Sequence, residues 1–197
     1  MRNRLTFANT ISILLENKKK TYQQHQLVRS LFSPDLSDTL QNSRLPSITK
    51  EFVGRKNELK ECGKLLQERP TLFISGVAGI GKSEFAKYYA NKNRKKYTNI
   101  IYLYYAGDLK KSIAGMEFDD DTSEMTEETL FDRHYKTLKK LHHDSLIILD
   151  NFNVLPKDDN FFREFTQNDF QLLITTRCRP TQYPIMELKE LDTDTEL

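Results

Sequence analysis

The 197-residue sequence predicts an α/β domain of three layers, a parallel sheet with helices on both faces, preceded by a small helical extension. Short runs that are apolar throughout alternate with stretches of helical periodicity, which is typical of parallel strands buried on both faces. The chain is also 38% apolar, with twelve Phe and nine Tyr. This composition can form a core and excludes disorder of the whole chain.

Residues 1–45 are predicted to be the extension and 46–197 the α/β domain. Apolar spacing predicts helices over residues 4–17 and about 21–32, and the polar, Pro-containing residues after them are predicted to form a linker. Residues 1–50 hold eight Lys and Arg against three Asp and Glu, a net charge of +5, whereas the rest of the chain carries −3. The extension either packs on the domain or is the stub of an adaptor or effector module.

Within residues 46–197, helices and strands are predicted to alternate. The first helix carries Leu59, Leu65 and Leu66. In order after it, we predict a strand at 71–75, a helix from 83 to about 96, a strand at 99–105, a helix from 126 to about 143, and strands at 146–149, 171–175 and 184–188. The acidic stretch 117–128 holds seven Asp and Glu and is predicted to be a surface loop, with a cation or partner site as the alternative.

The strongest functional signal is GVAGIGKS, which matches the phosphate-binding pattern G-x-x-x-x-G-K-[ST] between a predicted strand and a predicted helix. Glycines let backbone N–H groups surround phosphate oxygens, and the helix N-terminus adds positive potential. The lysine would contact the β- and γ-phosphates, and the serine hydroxyl would bind Mg²⁺. The candidate nucleotide-binding residues are Gly76, Val77, Ala78, Gly79, Ile80, Gly81, Lys82, Ser83 and Glu84.

Two later strands end in side chains that suit the same site. The run LIILDN brings Asp150 and Asn151 to the carboxyl edge of the sheet, where an acid can hold Mg²⁺; an ordinary turn is the alternative. The run LLITTR brings Arg177 to that edge, either to reach a γ-phosphate or to lie in solvent. The candidate catalytic residues are therefore Lys82, Asp150, Asn151 and Arg177, and the candidate metal ligands are Ser83 and Asp150.

Together with FVGR at residues 52–55, these motifs resemble the nucleotide-binding domain of the NB-ARC group of STAND NTPases. Those proteins are signal-transducing switch ATPases with a P-loop NTPase fold, and the resemblance covers about residues 46–197. It implies that ATP or ADP binds with Mg²⁺, and that Val53 and Arg55 lie against the adenine and ribose. It also implies that Arg177 senses the γ-phosphate.

The sequence departs from that group at three places. Lys56 stands where the group usually has Glu, and Asn151 stands where it usually has a second acid. The sequence given ends at Leu197, where helical and winged-helix subdomains would be expected. The predicted function is an ATP/ADP-binding switch with slow, Mg²⁺-dependent hydrolysis. The alternatives are an AAA+-type motor or loader, and an ATP-dependent transcription regulator with its DNA contact outside this domain.

Net charge and hydropathy limit the partners and the location that can be expected. The formal net charge of +2 excludes a strongly cationic nucleic-acid coat protein, and nucleic acid is not an expected partner of this domain. No run approaches 18 apolar residues and no secretory signal is recognisable, so a cytoplasmic protein without a membrane segment is predicted. Besides the nucleotide, proteins or further copies of the chain are expected to bind through the missing subdomains.

Overall fold

The computed structural model describes residues 34–36, 39–40, 46–47 and 54–190. The helices predicted over 4–17 and 21–32, and Val53, lie outside these residues. The chain divides into two compact units, Met1–Ser33 and Pro34–Leu197, and the described residues belong to the second. Leu36 and Leu40, which fall in the predicted linker, are buried in the core of this second unit.

Helices and strands alternate along the described domain. The strands are β1 (Thr71–Ser75), β2 (Asn99–Tyr104), β3 (Ser145–Asp150), β4 (Gln171–Thr176) and β5 (Ile185–Glu187). The helices are α1 (Lys56–Glu68), α2 (Lys82–Lys92), α3 (Leu109–Ala114), α4 (Glu127–Leu138) and α5 (Phe162–Phe165).

The five strands form one parallel sheet in the order β2-β3-β4-β1-β5. Because all of them run in the same direction, their carboxyl ends meet at one edge of the sheet. The last residues of β1 and β4, Ser75 and Thr176, are register partners, and β3 pairs with the other side of β4. The turns that follow β1, β3 and β4 therefore lie side by side, which is where ligands bind in open α/β sheets.

Alternate side chains of the buried strands face two separate cores. Leu72 and Ile74 of β1 pack with residues of α1 and α2, whereas Phe73 between them packs with residues of α3, α4 and α5. All five residues of β1 are buried. These three layers confirm the predicted α/β architecture, a parallel sheet with helices on both faces.

The observed helices differ from the predicted ones in length and number. Helix α2 ends at Lys92 and a single 3₁₀ turn, Arg94–Lys96, follows it, while α4 ends at Leu138 rather than near 143. Thr126 caps α4, its hydroxyl accepting the N–H of Thr129. Helices α3 and α5 were not predicted, because six and four residues are too few to display a helical period.

The acidic stretch between α3 and α4 is attached to the domain by buried contacts, one of which is Phe118 in the core. His134 is 1% exposed, and its Nε2 lies 3.0 Å from a carboxylate oxygen of Asp121, which also accepts the N–H of Phe118. Among the described residues, no cluster of three or more His, Cys, Asp or Glu could hold a metal ion. In the same part of the chain, no helix combines the length and the apolar character needed to cross a membrane.

Candidate phosphate-binding site

The loop between β1 and α2 depends on the conformational freedom of its glycines. Gly81 precedes α2 with φ of 94°, a left-handed conformation that side chains with a Cβ rarely adopt. At Gly76, an added Cβ would lie 2.9 Å from the carbonyl oxygen of Leu188, just after β5. The loop therefore starts against the end of β5 and turns directly into the N-terminus of α2.

Lys82 lies over this loop at the start of α2. Its ammonium donates hydrogen bonds to the carbonyl oxygens of Gly76 (2.9 Å) and Val77 (2.8 Å). Partial burial and the nearby charge of Arg177 lower the pKa of Lys82, while Asp150 opposes that shift. A phosphate bound beside the ammonium would raise the pKa of Lys82 again, because it adds negative charge to a site that holds two cations.

Ser83, the next residue, contacts Asp150, which lies 67 residues further along the chain. The Ser83 hydroxyl donates to Oδ1 of Asp150 at 2.7 Å, and Thr175 of β4 donates to the same oxygen at 2.5 Å. Tyr102 of β2 donates to Oδ2 at 2.5 Å, and burial followed by the bond to Asp150 raises the pKa of this tyrosine. Three neighbouring elements thus orient one buried carboxylate toward the loop.

The two predicted metal ligands, Ser83 and Asp150, are therefore together. A hydroxyl and a carboxylate are hard oxygen ligands that suit Mg²⁺, which completes its octahedron with waters and substrate phosphates rather than with further protein groups. The residues present fit a magnesium–nucleotide complex in which the protein supplies only part of the coordination.

A row of hydrogen bonds connects the ends of β2, β3 and β4. Asn151 has φ of 65°, and its backbone N–H donates to the Thr175 hydroxyl at 2.9 Å. Its side-chain amide donates to the Tyr104 hydroxyl (2.9 Å) and accepts from the Asn153 amide (2.5 Å). Asn153 in turn accepts the backbone N–H of Arg177 at 2.9 Å. The backbone that presents Arg177 is thereby joined to Asn151.

These groups surround an open cleft of about 240 Å³. Most predicted site residues line it, and Asp150 reaches it through the Ser83 hydroxyl. Three residues of the loop do not line it: Gly76, Val77, which is 67% exposed, and Ile80, which packs against the core beneath α1 and α2. The lining residues are Ala78, Gly79, Gly81, Lys82, Ser83, Glu84, Asn151, Asn153, Thr175 and Arg177.

Arg55 does not line this cleft. It precedes α1, is 6% exposed, and its guanidinium forms an ion pair with Glu58 at 3.0 Å in the first helical turn. The expected contact of Arg55 with the adenine and ribose stays a prediction.

Four residues of this candidate site were not among those chosen from the sequence: Tyr102, Tyr104, Asn153 and Thr175. Thr175 and Tyr102 lie one residue or more before the ends of their strands, and their contacts with Asp150 depend on the register of three strands. A signal for Thr175 was present, since the hydroxyl pair in LLITTR occurs where β4 approaches the carboxyl edge of the sheet.

Comparisons with known proteins identify no family for this chain. No family model matches it, and no curated protein matches it. Among solved structures, the chain is similar to C. elegans PCH-2, with a TM-score of 0.34 and 12% sequence identity. That similarity covers 64% of this chain and 36% of the PCH-2 chain, so this chain spans about a third of that protein. A TM-score of this size does not establish a shared fold.

Proposed function

We propose that this domain binds ATP and ADP with Mg²⁺ and acts as a nucleotide-dependent switch that hydrolyses ATP slowly. The observation that carries the proposal is the contact between Ser83 and Asp150 at 2.7 Å. Two separate sequence motifs each suggested a magnesium ligand, and the fold joins them beside the loop that matches the phosphate-binding pattern. The resemblance to the NB-ARC group of STAND NTPases supports the switch role.

In this proposal the chain's own groups bind and orient the triphosphate. Backbone N–H groups of the loop and the N-terminus of α2 surround the phosphates, and Lys82 adds a point charge. Bound Mg²⁺ would neutralise charge on the phosphates, with Ser83 and Asp150 as its protein ligands. Arg177 lines the same cleft, close enough to Lys82 for its charge to lower the pKa of that lysine, and would contact the γ-phosphate.

Slow hydrolysis follows from the carboxylates at the cleft. Within the described residues, only Glu84 lines it directly and only Asp150 reaches it through a hydroxyl. Glu84 pairs with Lys87 at 2.7 Å, and Asp150 already accepts three hydroxyl groups. Asn151 can orient a water molecule but cannot accept its proton. A motor or loader needs such a base, so this alternative predicts fast turnover.

Exchanging Asn151 for Asp tests this assignment. The φ of 65° at this position is compatible with Asp, and Tyr104 can donate its hydroxyl to the new carboxylate. We expect wild-type turnover well below about 10 per second, the median for enzymes. Asn151→Asp should raise turnover about tenfold or more, because a positioned general base contributes about 100-fold or more where it is fully effective. The steady-state rate of phosphate release measures the turnover of wild type and of the variant.

The matched control is Asn160→Asp, an exposed position that does not line the cleft. Equal rates for Asn151→Asp and wild type would contradict the water-orienting role of this position. Wild-type turnover at or above the enzyme median would favour the motor.

Arg177 should distinguish ATP from ADP. One charge-assisted contact between a guanidinium and a phosphate is worth roughly 1.5–3 kcal/mol, about tenfold or more in affinity. Arg177→Ala should therefore weaken ATP about tenfold or more and leave ADP nearly unchanged in isothermal titrations. Arg179→Ala, two residues away and paired with Glu187 outside the cleft, should change neither affinity. Equal weakening of the two nucleotides would mean that Arg177 shapes the pocket without sensing the γ-phosphate.

A further inference from the structure

A second and larger depression, here called the basic groove, lies between α1 and the C-terminal end of α2. Since the phosphate-binding loop joins α2 at its N-terminus, the groove and the cleft are at opposite ends of one helix, about 16 Å apart along its axis. The groove has a volume of about 710 Å³ and is lined by Lys56, Asn57, Leu59, Lys60, Glu61, Gly63, Lys64, Gln67, Lys92, Asn93 and Lys96.

The lining of the basic groove is strongly cationic. It holds five lysines and one carboxylate, that of Glu61, and all five lysines are exposed. None of these lysines forms an ion pair with another residue in the described part of the chain. Arg94 and Lys95 extend the positive charge into an adjoining hollow of about 560 Å³. This concentration contrasts with the net negative charge of residues 51–197.

The cations are arranged along two walls. Lys56, Lys60 and Lys64 recur every four residues on α1, so they form one row with steps of about 6 Å along the helix axis. Lys92 and Lys96 stand on the opposite wall. A duplex carries one phosphate charge about every 1.7 Å of its axis when both strands are counted, so each ammonium of such a row can reach a phosphate.

Partly buried hydrogen bonds fix the two walls relative to each other. The hydroxyl of Tyr97, just after the 3₁₀ turn, donates to Gln171 at 2.7 Å and lies 3.2 Å from the hydroxyl of Tyr89 on α2. The Gln171 amide donates to the carbonyl oxygen of Leu66 on α1 at 3.1 Å. Because the helices that form the walls are held in place before anything binds, their backbone loses little conformational entropy on binding.

We propose that the basic groove binds the phosphate backbone of a nucleic-acid duplex without reading its bases. The lysines supply the charge, and the amides of Asn57, Gln67 and Asn93 can donate hydrogen bonds to phosphate and sugar oxygens. The near-neutral charge of the whole chain does not oppose this, because the cations are gathered on one surface.

Two other polyanions fit the groove less well. An anionic membrane is flat, whereas this surface is concave, and the large exposed apolar side chains of the described residues, Val77 and Tyr104, lie elsewhere. A single strand binds through bases stacked on aromatic rings, and no aromatic residue lines the groove in the part of the chain that the structure describes.

The test measures fluorescence anisotropy of a labelled short DNA duplex with the whole chain over a range of salt concentrations. Each lysine–phosphate contact adds about 0.9 to the steepness of the plot of log affinity against log salt. Replacing Lys60, Lys64 and Lys96 together with Gln should therefore flatten that slope by about 2.7 and lower affinity on the order of 100-fold at moderate salt. The control replaces Lys111, Lys136 and Lys157, three exposed lysines outside the groove, with Gln.

The control variant should bind the duplex about as tightly as wild type. Its slope should differ from that of wild type by less than about 0.9, the value for one lysine–phosphate contact. Thermal unfolding should be similar for all three proteins, since every exchanged side chain is exposed. An unchanged slope in the groove variant would overturn the proposal and assign binding to another basic segment, such as residues 1–50. Tighter binding of a single strand, or groove-dependent binding to phosphatidylserine vesicles with no duplex binding, would overturn it as well.

Discussion

Replacing Lys82 with alanine is expected to lower the affinity for both ATP and ADP by about 10- to 100-fold. The ammonium lies above the loop, within 2.9 Å of two of its carbonyl oxygens, and can reach the phosphates that the loop would surround. A charge-assisted hydrogen bond from an ammonium to a phosphate oxygen is worth roughly 1.5–3 kcal/mol, and alanine cannot form it. Isothermal titration of wild type and Lys82→Ala with each nucleotide measures the difference.

The matched control for Lys82 is Lys136→Ala. Lys136 is an exposed lysine on α4 that does not line the cleft, so nucleotide affinity should stay within about twofold of wild type. Equal affinities in wild type and Lys82→Ala would contradict the assignment of Lys82 as a phosphate contact.

Proton uptake gives a second readout of the same interaction. Burial and the charge of Arg177 lower the pKa of Lys82 in the free protein, and a bound phosphate should raise it again. A pKa that is higher in the complex means that binding takes up protons, so affinity should weaken as pH rises from the free-protein pKa toward the pKa in the complex. Titrations in two buffers of different ionisation enthalpy should show this uptake in wild type and not in Lys82→Ala.

Asp150→Asn is expected to remove most of the advantage that Mg²⁺ gives to ATP binding. The amide keeps the shape of the side chain but carries no charge, so it cannot act as an anionic ligand beside the Ser83 hydroxyl. ATP affinity with Mg²⁺ should fall about tenfold or more, toward the value measured in EDTA. Titrations of wild type and variant under both conditions measure the change.

The control for Asp150 is Asp169→Asn, an exposed carboxylate away from the cleft. The dependence of ATP binding on Mg²⁺ should be the same in this control as in wild type. A similar Mg²⁺ dependence in Asp150→Asn would contradict the role of Asp150 as a metal ligand, whatever its effect on stability.

The strand, the loop and the start of the helix after it, from Thr71 to Lys82, could be predicted closely because their signals are local. An apolar run, a glycine pattern and a following helix occupy consecutive residues, and β1 has the predicted bounds. Helix α3 could not be predicted in the same way, because its six residues depend on the Asp108 cap and on burial against β2. Whether such a short segment forms a helix depends on the core residues that it packs against.

The contact between Ser83 and Asp150 was predictable in outline because parallel strands bring their carboxyl ends to one edge. The hydrogen bonds that support Asp150 from β2 and β4 were not predictable. Tyr102 reaches it from a position inside β2, and Thr175 from the penultimate position of β4, so a shift of one residue in register would remove both contacts.

The basic groove illustrates a different limit of sequence reasoning. The row Lys56, Lys60 and Lys64 can be read directly from the spacing, but an exposed row of lysines on a helix is usually just a solvated face. Its opposite wall, Lys92 and Lys96, comes from another part of the chain, and the two meet only through tertiary packing. A formal net charge of +2 gives no sign of this local excess.

The central claim, that the cleft binds a magnesium–nucleotide complex, is tested most directly by titrating ATP into the wild-type chain, first with Mg²⁺ and then with excess EDTA. Saturable one-to-one binding that is tighter with Mg²⁺ is the predicted result. No saturable binding under either condition, or binding that neither Mg²⁺ nor Lys82→Ala alters, would contradict the claim.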